Sequence, residues 1–97
     1  MSESKQNKNI EILYDIICER AKNKKNKSYT YKLLKDGPKK IAQKFGEESS
    51  ELIIDFLNGS KKRTVEEAAD VLYHLLVLLK SKNISITDIN KELSKRK

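Results

Sequence analysis

The sequence has a single cysteine, no apolar run long enough to cross a membrane, and no apolar signal core near its first residue. Cys18 has no second cysteine with which to form an internal disulfide, and its apolar neighbours in a helical pattern predict a buried thiol. Residues 1–9 are polar, and every apolar segment is shorter than a membrane span. These absences favour a soluble, cytoplasmic protein without a membrane partner.

An arginine-rich recognition helix and a pattern of stacking aromatics are also missing, although the chain is strongly basic. Lys and Arg number 21 against 14 Asp and Glu, a formal net charge of +7, and such an excess usually attracts anionic partners. The basic residues are mostly lysines spread over the N-terminal half and the C-terminal tail. We therefore expect no nucleic-acid partner, and we interpret the lysines as solvated surface charge or as contacts to a small polyphosphate.

The 97 residues can form one domain at most, and a core of that size is only marginally stable. The apolar residues are concentrated in periodic segments, which favours an ordered domain over a disordered one. We predict a flexible tail over residues 1–8 and a single all-α domain over residues 9–97. We also predict that a second copy of the chain completes the core in a homodimer.

Five segments carry helical signals and none carries a strand pattern. Ser28 is placed to cap a short helix that Gly37-Pro38 ends, and Ser85–Asp88 resembles a capping box that opens the last helix. The predicted long helices span roughly residues 9–22 (or as far as 25), 38–58 and 61–81, with a short helix between Ser28 and Gly37 and a last helix after the capping box. The pattern predicts an antiparallel bundle of four to five helices per chain.

Two features of the long helices favour a further helix or a ligand beside them. The helix over 61–81 is almost entirely apolar from Val71 to Leu79, so we expect it to be buried on most sides, with the dimer partner supplying part of the cover. Gly46 lies inside the helix over 38–58 and costs about 1 kcal/mol relative to alanine. We interpret it as allowing another helix or a ligand to approach closely.

Carboxylates crowd into the same two helices. Glu48 and Glu51 are three residues apart and share one helical face, and Glu67 and Asp70 repeat that spacing. If Asn58-Gly59-Ser60 is a tight turn, the two pairs lie within roughly 1.5 to 3 Å of the same height at a helical rise of 1.5 Å per residue. Four carboxylates that close together repel one another unless a cation lies among them. An all-oxygen cluster suits Mg²⁺ or Mn²⁺, so the pattern predicts a divalent metal site.

Each carboxylate also has a purely structural interpretation. Thr64 and Glu67 are spaced as a capping box, in which Glu67 would only satisfy a backbone N–H. Glu47 and Glu51 could pair with lysines such as Lys44 on a solvated surface. Two acidic pairs at matched heights, each among apolar neighbours, nevertheless favour the metal site.

Other polar residues near the two pairs are candidates for supporting roles. His74 lies one helical turn after the second pair and could hydrogen-bond behind a metal ligand, or it could be an ordinary core histidine. Lys40 and Lys44 are one turn apart and suitably placed to neutralise phosphate oxygens, although each could equally be surface charge. Lys32 and Lys39 are weaker candidates for the same role.

The acidic pattern is Glu-Glu-x-x-Glu at residues 47–51 followed by Glu-x-x-Asp at 67–70, and it resembles the signature of the MazG-like all-α nucleoside triphosphate pyrophosphohydrolases. Within that group the chain resembles the phosphoribosyl-ATP pyrophosphatases of histidine biosynthesis, over nearly its full length from Ile10. The more specific matches are Ser28-Tyr29-Thr30 with Leu33, Lys40-Ile41-Ala42-Gln43-Lys44-x-Gly46-Glu47-Glu48, and the run from Glu67 to Leu79. Ser49-Ser50 depart from the small or apolar residues usual in the family.

The resemblance implies hydrolysis of the bond between the α and β phosphates of 1-(5-phosphoribosyl)-ATP, which yields phosphoribosyl-AMP and pyrophosphate in the second step of histidine biosynthesis. Carboxylates cannot bind a triphosphate directly because both are anionic, so a divalent ion has to stand between them. We assign Mg²⁺, with Mn²⁺ as the alternative. The metal ligands in this assignment are Glu48, Glu51, Glu67 and Asp70.

Roles beyond the metal ligands are also expected. Glu47 joins Glu48 and Glu51 as a catalytic candidate, either as the base that activates water or as a group behind the ligands. The resemblance places Tyr29 and Thr30 in the substrate pocket, together with the lysines. Two rival functions remain open: a housekeeping pyrophosphohydrolase of other nucleoside triphosphates, and a helical interaction module without enzymatic activity.

Overall fold

Two antiparallel helices of 21 residues each form the centre of the fold. The computed structural model describes residues 8–23 and 28–97. The helices are α1 (Asn9–Lys22), α2 (Tyr29–Asp36), α3 (Pro38–Asn58), α4 (Lys61–Ser81) and α5 (Ile86–Lys95). The described residues contain no strand, and the predicted all-α bundle of four to five helices is confirmed. The predicted flexible tail, except for its residue 8, lies outside the described residues.

Local signals set the ends of the first helices as the sequence predicts. The Ser28 hydroxyl accepts a hydrogen bond from the backbone N–H of Tyr31 at 3.1 Å and so caps α2. Gly37 ends α2 with a φ of 100°, a backbone conformation that favours glycine. Pro38 then occupies the first position of α3, where its missing N–H is not needed.

Helix α4 is capped by Ser60 and not by Thr64, the cap that the sequence suggested. The Ser60 hydroxyl accepts from the backbone N–H of Arg63 at 3.2 Å, so Ser60 is the cap. Thr64 lies inside the helix, with its hydroxyl 3.0 Å from the carbonyl oxygen of Ser60. The capping-box interpretation of Thr64 and Glu67 is therefore wrong, because the turn ends four residues before Thr64. The Glu67 side chain is thus available for contacts outside the helix cap.

A capping box opens α5, as predicted. The Ser85 hydroxyl accepts from the backbone N–H of Asp88, and the Asp88 carboxylate accepts from the backbone N–H of Ser85, both at 3.1 Å. Before it, Asn83 has a φ of 56° and closes the end of α4. Tyr14 of α1 donates its hydroxyl proton to the carbonyl oxygen of Ile84 at 2.6 Å, which ties this turn to the first helix.

The core joins four of the five helices. It contains two residues of α1, one each of α2 and α3, and two of α4: Tyr14, Ile17, Leu33, Ile41, Leu76 and Val77. Cys18 packs against this core but is only partly buried, so the prediction of a buried thiol is met in part. None of the described helices is long and apolar enough to span a bilayer.

Large apolar side chains remain exposed on the two central helices. Phe56 and Leu57 near the end of α3 are each 70% exposed, and Leu72 in the apolar stretch of α4 is 42% exposed. A Cβ atom built on Gly46 would meet no heavy atom within 4 Å, so none of the described helices approaches it closely. A single chain thus leaves α4 partly uncovered, and the second copy predicted from the sequence remains a prediction.

Candidate active site and metal centre

The antiparallel pairing of α3 and α4 brings carboxylates of both helices together. One carboxylate oxygen each from Glu48, Glu67 and Asp70 lies within 4.8 Å of the other two. Glu48 is half-buried, Asp70 is exposed, and Glu67 is only 6% exposed. Three of the four predicted ligands therefore converge from two helices on one point that is open on one side.

Glu67 is the buried member of this group, and its two oxygens differ in their surroundings. Oε1 accepts a hydrogen bond from Nη2 of Arg63 at 2.8 Å. Oε2 is buried and has no hydrogen-bond partner among the described residues. A buried, unpaired carboxylate oxygen is costly because it has lost its hydration without a replacement. Beside two further carboxylates, it fits a hard divalent cation, which takes oxygen ligands.

Glu51, the fourth predicted ligand, flanks this group rather than joining it. Its carboxyl group lies against that of Glu48, and this contact, followed by the repulsion between the two charges, raises the pKa of Glu51. It also lines a cavity of about 220 Å³ together with Asp55, Arg63 and Glu67. Its side chain is exposed, so the fold leaves it free to change rotamer.

Glu47 is exposed on α3, one residue before Glu48. Its carboxylate accepts a hydrogen bond from the amide of Gln43 at 3.0 Å and pairs with Lys44 Nζ at 3.5 Å. The hydrogen bond from Gln43 is the main reason that the pKa of Glu47 is lowered, and Lys44 adds to it. The structure therefore contains the surface ion pair between Glu47 and Lys44 that the sequence suggested. The predicted role of Glu47 as base or supporting group remains a prediction.

His74 connects the carboxylate group to α2. Its Nδ1 lies 2.8 Å from the backbone carbonyl oxygen of Asp70, which can only accept, so Nδ1 carries the proton. In the neutral ring Nε2 is then the acceptor, and it receives the hydroxyl proton of Tyr29 at 3.0 Å. His74 thus contacts the main chain of a predicted metal ligand and not its carboxylate.

Thr30 supports this arrangement from inside the fold. It is fully buried, and its hydroxyl is hydrogen-bonded to that of Tyr73. The rings of Tyr29 and Tyr73 stack with centroids 6.2 Å apart, and the His74 ring meets the Tyr73 ring edge-on at 5.2 Å. In this structure Thr30 is enclosed by protein, whereas Tyr29 is 50% exposed.

Tyr29 also belongs to a basic cavity of about 300 Å³ between α2 and α3. Its lining consists of Tyr29, Lys32, Leu33, Asp36, Lys40 and Lys44. Burial raises the pKa of Tyr29, and the positive charge of Lys44 counteracts this effect. The structure therefore brings three of the four candidate lysines together, and Lys39 is not among the lining residues.

Arg63 is a site residue that the sequence reasoning did not identify. Besides Glu67, its guanidinium contacts Glu66 at 3.0 Å and Asp55 of α3 at 3.6 Å. It therefore links the two central helices beside Glu67, the buried member of the carboxylate group. The signal that could have revealed it is its spacing of four residues before Glu67, on the same helical face.

Comparison with known protein families matches residues 10–97 to the family described as phosphoribosyl-ATP pyrophosphohydrolase. The chain belongs to this family. It is similar to the phosphoribosyl-ATP pyrophosphatase of Sulfolobus acidocaldarius, with 49% identity over 87 residues that cover 90% of this chain and 92% of that protein. The protein of the same name from Pyrobaculum neutrophilum is 48% identical, over 87% of this chain and 89% of its own length. The one from Clostridium novyi is 42% identical, over 91% of this chain and 80% of its own length.

Membership in the phosphoribosyl-ATP pyrophosphohydrolase family confirms the resemblance that the acidic motifs and their flanking runs indicated. It also confirms that the chain is an enzyme of the hydrolase class, so the interpretation as a non-enzymatic helical module is wrong. The matched residues include α2 to α5, all of α1 except Asn9, and both acidic motifs.

Proposed function

We propose that the protein hydrolyses 1-(5-phosphoribosyl)-ATP to phosphoribosyl-AMP and pyrophosphate with Mg²⁺, the second step of histidine biosynthesis, in the cytoplasm. The observation that carries the proposal is the convergence of three carboxylates within 4.8 Å in a chain of this family, one of them with a buried, unpaired oxygen. Mn²⁺ is the alternative ion, because it takes the same oxygen ligands.

Glu48, Glu67 and Asp70 would hold the ion, and Glu51 is the fourth ligand in our proposal, because its carboxyl group already contacts Glu48. When bound, Mg²⁺ neutralises phosphoryl oxygens and increases the acidity of water. Arg63 occupies Oε1 of Glu67 and leaves Oε2 for the ion. The three converging ligands thus need little reorganisation when the ion binds, whereas Glu51 would have to change rotamer to reach it.

We propose that lysines of α3 neutralise the negative charge of the substrate that the metal ion does not. Of the α3 lysines, Lys44 is nearest in sequence to Glu48. We propose that it contacts a triphosphate oxygen when the substrate displaces its ion pair with Glu47. Glu47 would then be freed to accept a proton from the attacking water. Any carboxylate with an ordinary pKa is ionised at neutral pH, as a base must be, and loss of the Lys44 contact would raise the pKa of Glu47 and so make it a stronger base.

The test is pyrophosphate release by the purified protein with phosphoribosyl-ATP, compared with ATP and the four deoxynucleoside triphosphates, each with Mg²⁺ and with EDTA. We expect release from phosphoribosyl-ATP in Mg²⁺ only, at a kcat/KM at least a hundredfold above that for the other nucleotides. A preference for a deoxynucleoside triphosphate would instead establish the housekeeping function. Equal rates with and without EDTA would refute the metal-dependent mechanism.

We further propose that the active form is a homodimer. The support is the exposure of large apolar side chains on the two central helices, which include Ile53, Phe56 and Leu57 on α3 and Val65 and Leu72 on α4. Light scattering after size-exclusion chromatography should give twice the mass of the 11.2 kDa chain. Leu57→Lys should shift the protein to a monomer, and a wild-type monomer at micromolar concentration would refute the proposal.

A further inference from the structure

We propose that the basic cavity between α2 and α3 binds the phosphate of the substrate's phosphoribosyl group, and that it thereby distinguishes this substrate from an ordinary nucleoside triphosphate. The cavity is the one lined by Tyr29 and three lysines, about 300 Å³ in volume. This inference rests on the proposed function. Phosphoribosyl-ATP, unlike an ordinary nucleoside triphosphate, carries a phosphate on a second ribose at the far side of its adenine ring, in addition to its triphosphate.

The charge of the cavity fits a phosphate monoester. Lys32 and Lys40 against the single carboxylate of Asp36 leave an excess of one positive charge in the lining without counting Lys44, and this charge attracts a phosphate monoester, which carries about −1.5 to −2 at neutral pH. Lys32 and Lys40 form no ion pair within 4 Å with an acidic residue in the described parts of the chain, whereas Lys44 pairs with Glu47. Two amines of the cavity are therefore free to receive an anion.

The position of the cavity fits a ligand that is anionic at both ends. Lys44 and Lys40 precede Glu48 on α3 by four and eight residues, which places them about 6 and 12 Å from it along the helix axis at 1.5 Å per residue. Lys44 is thus near enough to serve the triphosphate, and Lys40 lies one turn farther from the carboxylates. The farther lysines, Lys40 and Lys32, are the ones left for the second phosphate.

Tyr29 lies between the two charged regions. Its ring is half-exposed and lines the cavity, and its hydroxyl is bonded to His74, which in turn donates to the backbone of Asp70. These two hydrogen bonds hold the ring at a fixed place relative to a carboxylate of the metal site. An exposed ring face fixed in this position suits contact with the adenine or ribose between the two anionic ends.

The test compares the binding of phosphoribosyl-AMP and AMP, since the two differ only by the phosphoribosyl group and neither contains the scissile bond. Calorimetric titration in Mg²⁺ would be done with wild type, Lys32→Gln, Lys40→Gln, and Lys39→Gln as the matched control. All three lysines are exposed, and Lys39 does not line the cavity, so the variants should fold alike. Thermal unfolding of each variant checks this.

We expect the wild type to bind phosphoribosyl-AMP more tightly than AMP. Lys32→Gln and Lys40→Gln should each weaken phosphoribosyl-AMP about tenfold, the loss of one charge-assisted contact, and leave AMP within about twofold. Lys39→Gln should change neither. In turnover, the same two variants should lower kcat/KM for phosphoribosyl-ATP mainly through KM.

Equal weakening of both nucleotides, or no weakening of either, would overturn the assignment of the cavity. If the wild type still hydrolyses phosphoribosyl-ATP in that case, only the cavity assignment fails and the proposed function stands. If the wild type binds phosphoribosyl-AMP no better than AMP and does not hydrolyse phosphoribosyl-ATP, both fail together.

Discussion

Arg63 Nη2 donates a hydrogen bond to Glu67 Oε1 at 2.8 Å, while the other oxygen of that carboxylate has no partner in the described residues. The two residues lie four apart on one face of α4, so the helix itself holds the contact. Arg63 therefore places one cation beside a carboxylate that is buried among other acids. The remaining negative charge of the group is not balanced by the described protein alone.

Arg63→Gln should lower Tm in EDTA, because Glu67 would then be buried without a cation, and should lower it less in Mg²⁺, where the ion supplies the positive charge. Thermal unfolding under both conditions measures this difference. Glu66→Gln is the matched control, since it removes a different partner of Arg63 and leaves Glu67 untouched. The same drop in Tm with and without Mg²⁺ would mean that Arg63 acts only as a link between the helices.

Glu51→Gln should separate stability from activity. The hydrogen bond between the Glu51 and Glu48 side chains raises the pKa of Glu51, and the repulsion between the two charges raises it further. Gln removes the repulsion, so the metal-free variant should be at least as stable as the wild type at neutral pH. Turnover should be lost, because the proposed site loses a ligand. Thermal unfolding in EDTA and pyrophosphate release in Mg²⁺ are the two measurements. A near-wild-type rate would remove Glu51 from the site.

Gly46→Ala should raise the free energy of unfolding by about 1 kcal/mol, because alanine favours the helix and its Cβ meets no heavy atom within 4 Å. Gly59→Ala is the contrasting variant and should lower it, since a Cβ there would lie 2.8 Å from the carbonyl oxygen of Asp55. Urea unfolding of both variants tests the pair. A loss of stability in Gly46→Ala would show that a second chain packs closely against this position.

Asp88 makes stability depend on pH in the acid range. The backbone N–H of Ser85 is the main cause that lowers the pKa of Asp88, followed by the Ser85 hydroxyl. Its contribution is present above the pKa of the unfolded chain and is lost as pH falls through the lower pKa of the folded state. Asp88→Asn should therefore lower Tm at pH 7 and have little effect below the folded pKa. An equal effect at both pH values would contradict the capping box.

The sequence predicted the helices well because their ends carry strong local signals. Ser28 and Gly37-Pro38 bound α2 and start α3, and the Ser85–Asp88 box starts α5, all through contacts within four residues. The interpretation of Thr64 as a cap failed because Ser60, four residues earlier, already caps the helix by accepting from the backbone N–H of Arg63, which leaves Thr64 in the helix interior. Cap chemistry alone could not choose between the two positions.

The site was predicted less completely because it depends on contacts between helices. Matched heights along α3 and α4 correctly brought Glu48 near Glu67 and Asp70. The height of a residue along the helix axis carries no information about its rotation around that axis or about its side-chain rotamer. The position of Glu51 beside the three converging carboxylates, rather than among them, could therefore not be foreseen. The contact between Tyr29 and His74 spans 45 residues and leaves no periodic trace in one sequence.

The proposed function depends on a magnesium site formed by the carboxylates of α3 and α4. The most direct measurement is the rate of pyrophosphate release from phosphoribosyl-ATP as Mg²⁺ is increased from zero, for wild type and for Asp70→Asn. We expect wild-type release to start at background and to rise with Mg²⁺, while Asp70→Asn stays about a hundredfold or more lower with its helical circular dichroism unchanged. Release without Mg²⁺, or a wild-type rate in Asp70→Asn, would contradict the proposed magnesium site.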